Sequence, residues 1–313
     1  MRMLNEILGI KWPLIQGGMA QIATGKFAAA ISNIGALGVI GSGAMTADEL
    51  MKEIRVCKSL TKKPFAVNLI MNHREIGQLA TLMVTEKVPV VITGNGNPIK
   101  YISQWKAEGI KVLPVTGTPV FAKYMERQGA DAIIAEGSES GGHIGPMTTM
   151  TLVPQVADQT SLPVIAAGGV ADYRQFRAAL ALGACGVQVG TALLASEECP
   201  VHVNYKSALV RSKSNENIVV GQVVGDPVRC LRNQMSKECV NLEKNNAGKE
   251  QIDSLTMRGL YRAAVEGDME TGSVMAGLTC GQIKEIQPAE KIIRFICVGG
   301  GESDGFFDDR ESG

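Results

Sequence analysis

Residues 131–168 begin with Asp131-Ala-Ile-Ile-Ala-Glu-Gly137, and they end with Pro163-Val-Ile-Ala-Ala-Gly168. Both segments contain an apolar run that leads into glycine, which is typical of a strand covered on both faces. The segment between them has the pattern of a helix over residues 152–159. Two such strands joined by a helix predict a βαβ unit with parallel strands.

The same unit recurs along the first two thirds of the chain. Eight β-rich runs begin 20–31 residues apart, at residues 13–17, 37–41, 65–70, 90–94, 112–117, 132–137, 163–168 and 186–190. Helix-like segments lie between them, among them residues 47–60, 75–86, 101–108, 119–128, 152–159 and 173–182. Eight βα units predict a TIM barrel of the α/β class. A doubly wound open sheet is the main alternative, but its usual G-x-G-x-x-G does not follow Ile15-Gln-Gly-Gly-Met19.

The regular alternation stops after Ala195. Residues 198–253 carry no βα repeat, and a helix-like pattern resumes at residues 253–265. We therefore expect a small cap domain at residues 198–253, inserted after strand eight, with residues 1–197 and 254–313 forming the barrel. The glycine-rich, acidic segment at residues 299–313 predicts a loosely ordered tail.

Composition limits the class of protein. Lys and Arg together number 31, as do Asp and Glu, so no overall field favours nucleic acid or a membrane surface. The seven cysteines include no C-x-x-C pair, and Cys199 with His202 makes at most half of a metal site, so we expect no metal. The first ten residues lack the apolar segment of a secretory signal, and we expect a cytoplasmic protein.

One of the three histidines, His143, lies on a glycine-rich loop directly after the sixth apolar run. Catalytic groups of α/β barrels lie on loops at the carboxyl ends of the strands. Histidine exchanges protons near neutral pH, and the flanking Gly141, Gly142 and Gly145 let a planar ligand approach the backbone. The alternative is a structural histidine that hydrogen-bonds the loop, and we favour the catalytic role.

Glycines also follow the last two predicted strands. Gly168 and Gly169 follow the seventh, and Gly190 and Thr191 follow the eighth; in TIM barrels these two loops usually hold a phosphate. The other strand ends bring mostly uncharged groups to the barrel mouth: Gln16, Gly17, Gly18, Met19, Asn68, Thr93 and Glu136. Such a lining suits a flavin, whose ring needs hydrogen bonds and apolar contact. In the alternative interpretation, Gln16 and Asn68 cap strand ends.

These residues belong to a set of strings that carry a resemblance. The strings are Gln16-Gly-Gly-Met-Ala20, Thr93-Gly-Asn-Gly-Asn-Pro98, Ala135-Glu-Gly137, Gly141-Gly-His-Ile-Gly145, Thr148-Thr-Met-Thr151, Pro163-Val-Ile-Ala-Ala-Gly-Gly169, Val187-Gln-Val-Gly-Thr191, His202-Val-Asn-Tyr-Lys206 and Gly272-Ser-Val-Met-Ala-Gly277. Over about residues 5–280 the chain resembles the FMN-dependent enoyl-acyl carrier protein reductases of type II. That group belongs with the nitronate monooxygenases, also called 2-nitropropane dioxygenases. The segment after Gln287 departs from the pattern.

The resemblance implies an FMN-binding TIM barrel that reduces trans-2-enoyl thioesters on acyl carrier protein with NADH or NADPH, in the last step of fatty acid elongation. It implies a catalytic His143 and an FMN phosphate at Gly168, Gly169, Gly190 and Thr191. The implied contacts of the FMN ring and chain are Gly17, Met19, Asn68, Glu136, Gly141, Gly142, Gln188, Met275, Ala276 and Gly277. A homodimer and a response to monovalent cations are also expected, although the sequence shows no independent cation site.

Basic residues are frequent in the predicted cap. The set between residues 204 and 237 is Lys206, Arg211, Lys213, Arg229, Arg232 and Lys237, against the acidic Glu216 and Asp226. Because acyl carrier proteins are acidic, a basic rim would steer them to the mouth. The alternative is an ordinary solvated surface.

Three other functions compete with this interpretation. Nitronate monooxygenase is the nearest, with His143 as a base on a nitronate and oxygen as the electron acceptor. Barrels of the IMP dehydrogenase type need a nucleophilic cysteine after strand six, and residues 138–146 contain none. A barrel that only binds a phosphorylated ligand would be purified without flavin. The loop at residues 142–150 and the string at residues 202–206 favour the enoyl reductase.

Overall fold

Eight parallel strands close into a barrel, as predicted. The computed structural model describes residues 2–300, so the predicted tail beyond Gly300 lies outside the described residues. In chain order the strands are β1 (Leu14–Gln16), β2 (Gly38–Gly41), β3 (Phe65–Ile70), β4 (Val90–Gly94), β5 (Lys111–Thr116), β6 (Ile133–Glu136), β7 (Gly142–His143), β8 (Val164–Ala167), β9 (Gly186–Val189), β10 (Asn217–Val220) and β11 (Val228–Leu231). The barrel strands pair in the order β1, β9, β8, β6, β5, β4, β3, β2. A parallel bridge between Ile15 and Leu37 joins β1 to β2 and completes the circle.

Helices cover the outside of the barrel and build the cap. They are α1 (Leu4–Leu8), α2 (Gly25–Ile34), α3 (Ala47–Leu60), α4 (Ile76–Thr85), α5 (Ile99–Ala107), α6 (Pro119–Arg127), α7 (Thr149–Gln159), α8 (Tyr173–Ala181), α9 (Thr191–Leu194), α10 (Val203–Arg211), α11 (Gln234–Lys244), α12 (Lys249–Thr256), α13 (Gly259–Tyr261), α14 (Ala289–Val298), a π-helical turn (Arg262–Glu266) and a 3₁₀ helix (Leu278–Gln282). Local sequence determines where several helices begin. At the start of α3, the Thr46 hydroxyl accepts from the Glu49 amide, and the Glu49 carboxylate accepts from the Thr46 amide. Within residues 2–300, no helix is both long and apolar enough to cross a bilayer.

Successive residues of each strand point alternately into and out of the barrel. Ala66, Ile92 and Ile134 belong to the buried cluster inside the barrel, while Val67 and Val91 pack against the outer helices. Helix α1 closes the amino end of this interior, with its leucines in the same cluster. Side chains two positions beyond an inward residue therefore point inward at the carboxyl end of the barrel.

The segment after β9 contributes two strands to a second, three-stranded sheet, and we refer to residues 198–253 as the cap. Strands β10 and β11 pair antiparallel, and β11 also pairs with β7, which belongs to the loop after β6. A separate small core of Val220, Cys230, Cys239 and Ile252 supports this sheet. The predicted boundary after Asp253 lies inside α12, and the division into two domains stays a prediction.

The helix-like pattern at residues 253–265 does not form one helix. The chain turns between α12 and α13 at Arg258, which has a φ of +56°. The turn places Arg258, Leu260 and Tyr261 around a cavity under the cap. The break in the helix therefore contributes to the site described next.

Candidate functional site

A cavity of about 400 Å³ lies at the carboxyl ends of the barrel strands, and we refer to it as the mouth cavity. It is where the sequence predicted the site. The predicted residues that line it are Gly17, Gly18, Met19, Asn68, Glu136, Gly141, Gly142, His143, Gly168, Gly169, Gln188, Gly190, Thr191 and Met275. The structure thus gathers residues from the ends of five barrel strands, β1, β3, β6, β8 and β9, and from the segment that contains Met275 around one space.

One end of the mouth cavity has the features of a phosphate site. Gly168 and Gly169 have φ values of +88° and +77°, and a Cβ on Gly168 would lie 2.9 Å from the carbonyl oxygen of Gly137. In the described chain, the amides of Gly168, Gly169, Gly190 and Thr191 donate to no protein acceptor. These amides follow the neighbouring strands β8 and β9. Free amides from two adjacent loops can bind the oxygens of a phosphate.

The inner wall of the cavity carries amide side chains. Asn68 Nδ2 donates to the Gly18 carbonyl oxygen at 3.1 Å, which ties the first and third strand ends together. The Oε1 atom of Gln188 is buried and has no hydrogen-bond partner within the described residues. A buried acceptor without a donor is costly unless a ligand supplies the proton. The wall therefore fits a heteroaromatic ring that carries an N–H group, such as a flavin.

Glu136 is the one predicted cavity residue with a carboxyl group. It ends β6 and points inward, two positions beyond Ile134. Burial raises the pKa of its carboxyl group to about 7. Near neutral pH both protonation states are therefore populated, and the group can donate or accept a hydrogen bond from a ligand.

His143 is held at the edge of the mouth cavity by the cap. His143 pairs with Val228 in the antiparallel ladder between β7 and β11. From the same strand β11, Arg229 Nε and Nη2 donate to the Ser138 carbonyl oxygen at 3.1 and 2.9 Å. The imidazole is 62% exposed, and its Nε2 lies 3.3 Å from Asp226 Oδ1. The loop that carries His143 is thus ordered by a strand pairing with the inserted segment.

A second cavity of about 360 Å³ lies beneath the cap, and we refer to it as the cap cavity. Its apolar lining includes Val220, Val224, Val228, Ile252 and Tyr261. Both cavities share Ala20, His143, Leu260 and Met275. His143 therefore lies where the two cavities meet.

The sequence profile described as nitronate monooxygenase matches residues 1–82 and 74–299 of this chain. The chain belongs to the nitronate monooxygenase family. The resemblance stated from the sequence is thereby confirmed, and as a family member the protein is an oxidoreductase.

Relatives within and around this family agree with the match. A structure of FabK from Thermotoga maritima superimposes with a TM-score of 0.91, at 45% identity over 95% of each chain. A nitroalkane oxidase from Streptomyces ansochromogenes superimposes with a TM-score of 0.82, at 27% identity over 94% of this chain and 96% of that one. A 5-hydroxy-7a-methyl-1-oxo-octahydro-1H-indene-4-carboxyl-CoA dehydrogenase from Mycobacterium tuberculosis is 31% identical over 94% of each chain.

Three predicted cofactor residues of this nitronate monooxygenase family member do not line the mouth cavity. Thr93 follows the inward Ile92 and so points outward, where its hydroxyl is buried. Ala276 and Gly277 lie behind the wall, close to Gly141, and the Gly277 amide donates to Thr191 Oγ1 at 2.9 Å. Ala276 and Gly277 therefore contact cavity residues from behind without lining the cavity.

Gln16 was predicted at the mouth, and this prediction was wrong. Its side-chain amide donates to the Val39 carbonyl oxygen at 3.1 Å and accepts from the Val39 amide at 3.4 Å. Gln16 is fully buried and bridges β1 to β2, where the ladder is short. The alternative interpretation, capping at a strand end, is closer to what the structure shows.

Two of the six basic residues predicted to form a rim on the cap instead bind backbone carbonyl oxygens. Lys206 is buried, and its ammonium donates to the carbonyl oxygens of Ser196 and Glu197. Arg229 binds the loop that carries His143, as described above. The other four residues are exposed, and none of them forms an ion pair within residues 2–300: Arg211, Lys213, Arg232 and Lys237.

The sequence analysis missed several residues of the site. Asp226, beside His143, lies in the turn between β10 and β11, and only the pairing of those strands brings it there. Glu139 lines the mouth cavity, and its carboxylate accepts from the Thr149 amide and hydroxyl. Glu139 was visible in the same loop as His143, whereas Leu260 had no sequence signal at all.

Proposed function

We propose that this protein is an FMN-dependent enoyl-acyl carrier protein reductase that uses NADH or NADPH. The observation that carries the proposal is the position of His143, where the mouth cavity meets a cap cavity whose wall includes Val220, Val224 and Ile252. A thioester whose acyl chain lies in the cap cavity would present its reacting carbons beside this histidine. The similarity to FabK and to a carboxyl-CoA dehydrogenase supports a thioester substrate.

The mouth cavity fits FMN. The amides of Gly168, Gly169, Gly190 and Thr191 would hold its phosphate, and Gln188, Asn68 and Glu136 would contact its ring. The chemistry that FMN supplies when bound is hydride transfer from the nicotinamide to the β-carbon of the enoyl thioester. Glycines along the wall exclude side chains from the space that the ring would take.

His143 completes the reaction on the substrate. Hydride addition at the β-carbon leaves an enolate, which needs a proton at the α-carbon and stabilisation of charge on the thioester oxygen. The His143 imidazole lines both cavities, so it is placed to donate to the α-carbon or to the thioester oxygen. Asp226, 3.3 Å from Nε2, orients the ring.

The decisive experiment is anaerobic stopped-flow absorbance at the flavin band. The purified protein is reduced with NADH or NADPH and then mixed with a crotonyl thioester. Rapid reoxidation without oxygen is the expected result. A colourless protein, or a flavin that neither nicotinamide reduces, would contradict the proposal.

Nitronate monooxygenase activity is the second candidate, supported by the family match and by the nitroalkane oxidase relative. In that reaction His143 would remove a proton instead of donating one. Turnover of an alkyl nitronate in air, without nicotinamide reduction, would reverse the ranking of the two functions.

A substitution in the phosphate site tests how the cofactor is held. We expect Gly168→Ala to weaken FMN binding at least about tenfold, because alanine is strained at positive φ and its Cβ would press on Gly137. Fluorescence titration of flavin-free protein with FMN measures the change. The matched control is Gly109→Ala, at a φ of +72° in a turn with open space around it. Equal FMN affinity in both variants would remove Gly168 from the phosphate site.

Acyl carrier protein is the proposed partner, and the four exposed basic residues of the cap would attract it. Raising NaCl from about 50 to about 300 mM should lower kcat/KM for carrier-bound crotonate by about tenfold, because salt screens steering. An uncharged crotonyl N-acetylcysteamine thioester should show little change. Arg232→Glu with Lys237→Glu should reproduce the loss on the carrier-bound substrate alone. Equal salt dependence for both substrates would contradict the steering.

A further inference from the structure

A groove of about 660 Å³ lies on the outside of the barrel, beside the closing helix α14. Ala171 and Ala192, each close after a phosphate-loop glycine, form one side of it, and α14 forms the other. Ile283, Ile292 and Phe295 supply its apolar surface. The groove shares no lining residue with the mouth cavity or the cap cavity, so it is separate from the proposed reaction.

The described chain ends at this groove. Phe295 is 43% exposed and contacts Tyr173 edge to face, with 6.4 Å between the ring centroids. Gly299 lies against the same tyrosine, and Gly300 itself lines the groove. The described part of the chain therefore ends inside the groove, next to an exposed aromatic ring.

The groove is positively charged. Lys284, Lys291 and Arg294 line it, and Glu285 is its one acidic lining residue within the described chain. Lys291 lies 3.6 Å from Glu285, but Arg294 has no ion-pair partner within residues 2–300. An occupant with acidic groups and an apolar centre would complement this surface.

The chain itself carries such a segment. Residues 302–311 read Glu-Ser-Asp-Gly-Phe-Phe-Asp-Asp-Arg-Glu, with five acidic residues, one arginine and an adjacent pair of phenylalanines. Phe306 is six residues beyond Gly300, a reach of up to about 20 Å for extended chain. Tethering at the groove raises the effective concentration of the segment without any further contact.

We propose that residues 302–311 bind in this groove within the same molecule. Phe306 and Phe307 pack against Phe295 and Ile292, and the flanking carboxylates pair with Lys291 and Arg294. The binding covers the exposed ring of Phe295 and supports the loops that follow β8 and β9 from the outside. It does not depend on which reaction the protein catalyses.

The test uses full-length protein and a fluorescein-labelled peptide of residues 301–313, with binding followed by anisotropy. In the Phe306→Ser/Phe307→Ser chain the groove is free, whereas in the unsubstituted chain the tethered segment competes. We expect the peptide to bind the variant at least tenfold more tightly. A peptide with the same two serines is the matched control and should not bind.

A second variant tests whether the peptide binds at Lys291 and Arg294. Adding Lys291→Glu and Arg294→Glu to the serine variant should weaken peptide binding at least tenfold, with unchanged far-UV circular dichroism. Should the serine chain fold poorly, Asp308→Lys/Asp309→Lys frees the groove while keeping the phenylalanines. Equal peptide binding to the substituted and unsubstituted chains would overturn the proposal. So would a lower sedimentation mass of the serine variant, because the segment would then fill the groove of a second copy.

Discussion

Replacing His143 with alanine should lower turnover of a crotonyl thioester by about 10²–10⁴-fold, which is the usual contribution of a positioned proton donor. FMN content should stay unchanged, because the phosphate site and the inner wall of the cavity do not include the imidazole. Reduction by NADH or NADPH should stay fast, and reoxidation by the thioester should become slow. Stopped-flow absorbance separates these two half-reactions.

Two further variants distinguish proton transfer from positioning. His143→Gln keeps a hydrogen-bond donor but cannot transfer a proton, so it should be nearly as slow as His143→Ala. Asp226→Asn removes the carboxylate that lies 3.3 Å from Nε2, so it should lower turnover of the thioester more than it lowers FMN affinity. Full activity of His143→Ala would remove His143 from the mechanism.

The second prediction with a large effect concerns how Glu136 makes the free energy of unfolding depend on pH. Burial raises the pKa of its carboxyl group from 4.5 to about 7, so the unfolded chain ionises at a lower pH than the folded one. The native state is therefore favoured by this group below about pH 4.5, and that contribution is lost as pH rises through about 7. The difference corresponds to at most about 3 kcal/mol of unfolding free energy.

Glu136→Gln removes the free-energy cost of ionising a buried carboxyl group. At pH 8 the flavin-free variant should be more stable than the unsubstituted protein by up to about 3 kcal/mol, and the two should converge near pH 4.5. Urea unfolding at several pH values measures the difference. Glu108→Gln, at an exposed position, is the control for the loss of one charge. A constant difference between the Glu136 variant and the unsubstituted protein at all pH values would contradict the expected titration.

Much of the barrel could be predicted because its signals are local. Continuous apolar runs such as that at β8 (Val164–Ala167) identify strands covered on both faces, whatever the rest of the chain does. The observed strands lie within two residues of the predicted bounds. The glycines after β8 and β9 could also be identified from the sequence, and glycine is the residue that most easily adopts the positive φ found at Gly168 and Gly169.

The inward or outward direction of a side chain was harder to predict. Gln16 and Thr93 stand at strand ends beside true cavity residues, yet both point away from the mouth cavity. A shift of one residue along a strand reverses every side chain, and the register of a barrel is settled by all eight strands together. Charge was misjudged in the same way, because Lys206 and Arg229 satisfy backbone carbonyls instead of facing solvent.

The sequence by itself determined the βα alternation, the glycine positions of the proposed phosphate site and the loop that carries His143. Each depends on residue types within one short segment. Only the tertiary structure decided that β11 pairs with β7, which brings Asp226 to His143 and joins the mouth cavity to the cap cavity. The physical reason is that such contacts join segments far apart in the chain, and their geometry follows from the packing of the whole barrel and cap.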